Sequence, residues 1–450
     1  MRKIIDNLMK WVSRNHFIKS VFTLSSGIVI GKGISVITTP IISRLFETSE
    51  IGDFSIITST NSIITAILCF GLMTAILMPK DDEKAKGICT FLVKSIFLGT
   101  TIICLLMYFV REKIHFMNVE MDYSLACLLL WLYIILSTTA SVIYGYANRC
   151  KLYRVLFWNP ILAGIANSGF SILAGVMHWG AFGYGMGNTL AFAVNIVHLL
   201  KHVQPFNFRT ASTRQTLTEF KRFPMYQWPA NMMGIFAVQM PVQMISKYFG
   251  SSVLGNYSMS MSILQIPITL LAVPIGRVFL REAAIRNENG QDVGGFAYKI
   301  LSTNIKIAII PITILTVFAE PLFSILLGSQ WKLAGSITAY LSINILMLFV
   351  SQCMSGSFVI IGKQNIELII SIVKLVGVWL VFYLSNYFGL SPLNTIFIYA
   401  CTNTLLLVFQ EGLFFYCTKF SMVKYIRFII LFIVLPFILS WGFRFLLGFA

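Results

Sequence analysis

A lysine stands in the middle of the first apolar stretch of this chain. In SVFTLSSGIVIGKGISVITTPIISRLFETSEIGDFS, residues 20–55, Lys32 is flanked on both sides by residues suited to a helix that crosses a bilayer. At 100° per residue, Ser25, Lys32 and Thr39 fall within about 40° of one another, so one helix face carries a cation between two hydroxyls. That face suits an anionic group, because an ammonium neutralises its charge and hydroxyls donate to its oxygens. A lysine at mid-bilayer depth costs about 2.5–3.5 kcal/mol on insertion scales, so a compensating partner has to meet it. Gly27 and Gly31 fall on another face, at the spacing that lets two helices approach closely.

A second set of polar residues repeats. Ser43-Arg44-Leu45-Phe46-Glu47-Thr48-Ser49-Glu50-Ile51-Gly52-Asp53-Phe54-Ser55 matches Ser246-Lys247-Tyr248-Phe249-Gly250-Ser251-Ser252-Val253-Leu254-Gly255-Asn256-Tyr257-Ser258 at a constant offset. The match continues as a ladder of hydroxyls and amides: Ser55 with Ser258, Ser59 with Ser262, Ser62 with Gln265. Ser258, Ser262, Gln265 and Thr269 follow the i, i+4, i+7, i+11 pattern of one helical face. The segment before the second copy adds Asn231, Gln239 and Gln243, with prolines at 229 and 241 that free backbone carbonyls. Further cations are candidates for the same wall. Arg44 pairs with Lys247 in the repeat, Lys94 pairs with Lys306 after an allowance of about nine residues, and Lys374 lies inside a later span.

These residues need a membrane scaffold to hold them. The chain has 450 residues, 57% of them hydrophobic, and a mean hydropathy of +0.80. Apolar runs of about 20 residues recur along it, which makes it a polytopic helical membrane protein. Spans are expected near 20–42, 54–78, 88–109, 123–145, 156–177, 180–200, 226–248, 255–279, 299–319, 337–361, 365–387, 392–416 and 426–447. The net charge of +17 fits orientation by basic cytoplasmic loops better than nucleic-acid binding, since no basic stretch interleaves with stacking aromatics. With a cytoplasmic N-terminus, only Arg44, Arg111, Lys113, Lys247, Lys332 and Arg444 fall outside and Lys32, Lys94, Lys306 and Lys374 fall within spans. The rest of the 34 Lys/Arg lie on the cytoplasmic side.

The division of the chain follows from the repeat and from the basic loop at 201–224. Residues 1–19 read as a cytoplasmic interfacial helix, 20–200 as a six-helix bundle, 201–224 as a linker, 225–416 as a second six-helix bundle and 417–450 as an extra membrane helix. A repeat after an even number of spans gives two halves of one orientation. The expected fold is therefore all-α: two parallel six-helix bundles around a central cavity, with one or two extra C-terminal helices.

Other chemistry is excluded motif by motif. Gly27 to Gly33 has a phosphate-loop look, but its spacing is one short and no Ser/Thr follows the lysine. Gly183-Tyr184-Gly185 lacks the rest of a potassium filter, and Gly183 and Gly187 read as close helix packing. The eight cysteines form no CxxC pair and the five histidines are isolated, so no metal and no cofactor is expected. No hydrolase or metalloprotease motif is present, so the chain reads as a transporter rather than an enzyme.

The run TLSSGIVIGKGISVITTPIISRLFETSEIGDFS, followed by Met78-Pro79-Lys80-Asp81-Asp82-Glu83-Lys84-Ala85, resembles the opening of bacterial O-antigen flippases. These belong to the multidrug/oligosaccharidyl-lipid/polysaccharide exporter superfamily. Leu327-Gly328-Ser329-Gln330-Trp331-Lys332-Leu333-Ala334-Gly335 resembles that family's G-x-x-W-x-x-A-G stretch. The chain departs from the family in its thirteenth span and in Lys32, where a neutral polar residue is usual. The resemblance implies a multi-pass protein of the bacterial inner membrane that flips undecaprenyl-pyrophosphate-linked oligosaccharide to the periplasm. Polysaccharide polymerase and chain-length proteins would be its partners, with H+ or Na+ as coupling ion. The alternatives are a cation-coupled drug exporter of the same fold and an O-antigen polymerase. Four lysines within spans, with Asp53, Glu367 and Glu411 toward span ends, favour an anionic substrate over a cationic drug. Outer loops look too short for a polymerase.

Overall fold

A computed structural model describes residues 16–79, 81–111, 117–203 and 228–448, without the side chains of 16–25 and Ala230. The amphipathic reading of residues 1–15, most of the basic linker and Lys113 lie outside the described residues. Among those described, the chain is all helix and turn, with no strand. Eleven helical stretches are long and apolar enough to cross a membrane, with Asn231–Glu288 counting as one of them. This is an all-α polytopic membrane protein, in which each helix satisfies its own backbone where no water can.

The helices in order are α1 (His16–Leu45), α2 (Thr48–Leu68), α3 (Asp82–Phe109), α4 (Tyr123–Arg149), α5 (Tyr153–Val176), α6 (Gly180–Leu200), α7 (Trp228–Pro267), α8 (Val273–Glu288), α9 (Val293–Leu326), α10 (Lys332–Cys353), α11 (Gln364–Tyr387), α12 (Pro392–Cys417), α13 (Met422–Ile429) and α14 (Leu435–Leu446). The chain divides into two compact units, residues 1–235 and 236–450. The start of α7 belongs to the first unit, where the Trp228 indole donates to the Ala66 carbonyl at 2.9 Å and packs on Phe70.

In the first unit α1 lies along α5, α5 along α6 and α3 along α4. Glycine makes the α1–α5 crossing possible. A Cβ on Gly31 would collide with the Pro160 carbonyl, and one on Gly164 would lie 2.8 Å from the Gly31 oxygen. The second span ends earlier than its hydropathy suggests, at Leu68 rather than near residue 78. Phe70 and Gly71 both take positive φ, 49° and 71°, which no helix accommodates. The Met78–Ala85 stretch is held from α4: the Tyr146 hydroxyl donates to Asp82 at 2.7 Å, and Arg149 reaches Asp82 and the Pro79 carbonyl.

In the second unit α9 packs on α10, α10 on α12, and α11 on α12. Trp331 is fully buried, and Gly335 seats α10 against the backbone of Glu320. Arg444, expected on the outer side at the end of the last span, is 2% exposed in α14. Its guanidinium donates to Glu320 at 3.0 Å and to the Thr316 carbonyl at 3.3 Å, which ties the last helix to α9. Lys332 at 3.2 Å and the Ser336 hydroxyl at 3.0 Å complete the shell of Glu320.

Candidate functional site

Lys32 lies at the seventeenth of thirty positions of α1. It is exposed, and it has no hydrogen bond or ion pair among the described residues. Its neighbours one turn away, Ile28, Val29 and Val36, are exposed too, at 37%, 45% and 43%. The α1 face bearing Lys32 is thus apolar with a single cation, while the Gly27–Gly31 face carries the packing against α5. Thr39 shares the face by position, but its hydroxyl donates to the Ser35 carbonyl at 2.7 Å. Ser25 lies in α1, with its side chain outside those described. Arg44 and Lys94 are exposed.

The two hydroxyl ladders differ. Ser55 and Ser62 donate back to Ile51 and Thr58 of their own helix, and Ser59 is buried, 2% exposed. Ser262 and Gln265 are exposed on α7 with Ser258 half-buried beside them, and Thr269 is exposed in the π-helical turn Ile268–Ala272 that follows. The Ser262 hydroxyl also bonds its own helix, at Met259. Asn231 is exposed, and Gln239 and Gln243 are half-buried. The polar contacts that do join helices in the first unit involve residues outside this set. Asn61 accepts from Thr65 and Ser137, and Thr65 meets Thr138 at 3.3 Å.

The remaining cations are engaged to different degrees. Lys247 and Lys306 are exposed, 5.5 Å from the rings of Tyr248 and Phe432. Lys374 donates to Gln410 of α12 within the second unit. Beside it Glu411 is 3% exposed, six residues from the end of α12. Its position within an apolar run had suggested a span-end acid at most. A cavity of about 560 Å³ in the second unit is lined by Arg286, Asp292, Phe296 and Lys299, and one of about 350 Å³ in the first by Phe170, Val197, His198 and Lys201. Neither holds a candidate residue. At the loop before α4, the Ser124 and Leu125 amides hold the Asp122 carboxyl below its usual range.

Residues 41–336 match the sequence model of a family described as polysaccharide biosynthesis protein. The chain belongs to this family. Among curated proteins, it is 22% identical to the succinoglycan biosynthesis transport protein ExoT of Rhizobium meliloti (strain 1021), over 69% of this chain. The chain spans 63% of the length of that relative. Among solved structures it resembles the lipid II flippase MurJ in an inward closed conformation, with a TM-score of 0.65 and 16% identity over 92% of this chain and 98% of that one. It also resembles a transporter of the MOP superfamily from Pyrococcus furiosus, with a TM-score of 0.56 and 15% identity over 90% and 97% of the two chains. The likeness to these structures is one of fold. The family match covers both copies of the repeated turn and ends just past Gly335.

Proposed function

We propose that the protein is a flippase. It moves an undecaprenyl-pyrophosphate-linked oligosaccharide, an O-antigen or other polysaccharide repeat unit, from the cytoplasmic to the periplasmic face of the bacterial inner membrane by alternating access. The observation that carries this reading is Lys32: a cation with no hydrogen bond or ion pair among the described residues, on an apolar face about 20 Å from the Leu45 end of its helix. A lysine side chain cannot snorkel that far, so its charge is met by something that enters the membrane. A lipid diphosphate supplies opposite charge and an apolar tail together. The family assignment and the flippase-like fold support the same reading, and a polymerase and chain-length proteins are its expected partners in the membrane.

The test is Lys32→Gln. Its protein should reach the membrane at the normal level yet lose surface glycan, with lipid-linked sugar accumulating on the cytoplasmic face. Lys32→Arg should retain export because the charge persists. Normal surface glycan from Lys32→Gln at matched expression would remove the residue from the mechanism.

A further inference from the structure

The carboxylate of Glu411 is the buried charge that the transport reading leaves without a task. It sits in α12, is 3% exposed, and has no ion pair within 4 Å among the described residues. The nearest cation, Lys374 of α11, donates to the side-chain carbonyl of Gln410, the residue before Glu411. Glu367 lies seven residues before Lys374 and so on the same face of α11, with Ser371 between them. From α13 comes only Tyr425, whose hydroxyl is committed to the Val408 carbonyl at 2.8 Å. The cluster thus has two carboxylates and one ammonium, and that ammonium is bonded to a neutral amide.

An ionised carboxylate placed so deeply without an ion pair is costly, and a proton removes the cost. Lys374 is bonded to the residue beside Glu411 in the chain, so a shift of its side chain toward the α12 face of Glu411 is what the pairing requires. We propose that Glu411 is a proton-binding site of the transport cycle, protonated in the arrangement described here and paired with Lys374 once the proton leaves. In that step the O–H bond of the Glu411 carboxyl breaks and the proton passes to water. The Lys374 ammonium moves one of its N–H donations from Gln410 to the new carboxylate. Glu367, in the first turn of α11, is the polar group of the cluster nearest a helix end and marks the way out. Proton binding stands on this geometry alone, while its use in coupling rests on the flippase reading.

Infrared spectroscopy of the purified full-length protein tests the site directly. At neutral pH the wild type should show the carbonyl band of a protonated carboxyl group, lost in Glu411→Gln and kept in Glu367→Gln. Lys374→Met, which removes the cation that favours ionisation, should keep the band to at least about tenfold lower proton concentration. No band in the wild type, a band insensitive to Glu411→Gln, or a band bleached by sodium chloride would overturn the proposal. So would a Lys374→Met titration that does not move upward. For coupling, vesicles loaded with a fluorescent undecaprenyl-pyrophosphate disaccharide should flip it faster under an imposed pH gradient in wild type but not in Glu411→Gln. An undiminished response in the variant would sink the coupling role. Vesicles in which even the wild type flips nothing would count against the flippase reading, with the infrared result still deciding the site.

Discussion

The two copies of the repeated turn share a residue pattern and break the helix by different means. Glu47 and Gly250 occupy equivalent places, and each marks where the chain leaves a helix. At Glu47 the break is held by reciprocal side-chain caps, with Glu50 accepting from the Glu47 amide at 2.8 Å. At Gly250 it is held by a backbone conformation, φ 82° and ψ 177°, that only glycine adopts readily. The equivalent pair six residues on shows the same contrast. Asp53 is 2% exposed and accepts the Glu120 and Met121 amides at 3.0 and 2.7 Å, whereas Asn256, also 2% exposed, has a side-chain oxygen with no hydrogen-bond partner among the described residues. Before the turn, Gly31 is packed and Gly234 faces open space, and Lys32 is matched by Ile235. A shared residue pattern therefore does not imply a shared task. The first copy clamps a loop with charge, while the second unit ties Lys374 and Arg444 to partners.

Four experiments break or sharpen that contrast. Gly31→Val should have the largest effect, because its side chain meets backbone rather than a movable side chain. Membrane-inserted protein should fall below detection on a blot, while the equivalent Gly234→Val stays at the wild-type level. Arg444→Met leaves Glu320 with Lys332 and the Ser336 hydroxyl as its remaining partners and should cost about 1.5–3 kcal/mol in a denaturant titration, the worth of a hydrogen bond to a charged group. Adding Glu320→Gln should recover part of that loss. Gly250→Ala should cost about 1–3 kcal/mol by the same measurement. Glu47→Gly, at the equivalent place, should cost only a few tenths, about what a glycine N-cap gives up. The smallest change is one of rate: in a cysteine-free background, Ser262→Cys should react quickly with a water-soluble thiol reagent and Ser59→Cys slowly. Equal rates would erase the difference between the ladders.

The helices were legible in the sequence because membrane spans are written as length and hydropathy, which tertiary packing rarely overrides. The repeated turn was legible because both copies keep Ser, Phe and Gly at the bend. The end of α2 was not, since Cys69 to Leu77 is as apolar as any helix and only the paired positive φ values of Phe70 and Gly71 stop it. Charge pairing was the least legible. Nothing local in α14 announces that Arg444 meets Glu320, or in α11 that Lys374 meets Gln410 rather than a substrate. One signal for Glu411 was available: an acid inside LLLVFQEGLFF is rarely left in an apolar run without a use. The hydroxyls show the opposite error, because a polar stripe on a helix is satisfied by the helix's own carbonyls as readily as by a neighbour.

The bond from Arg444 to Glu320 spans 124 residues of chain, and that separation has a meaning in time. A ribosome adding about 5–20 residues per second makes the carboxylate roughly 6–25 s before the guanidinium that will hold it. During that interval Lys332, only twelve residues downstream, is the cation in reach, and its exposed position lets it serve without committing α9 to a final neighbour. The nascent second unit thus waits for its last helix with an acid provisionally neutralised. Membrane quality-control proteases have the same interval in which to act, and a chain stopped before position 444 never leaves it.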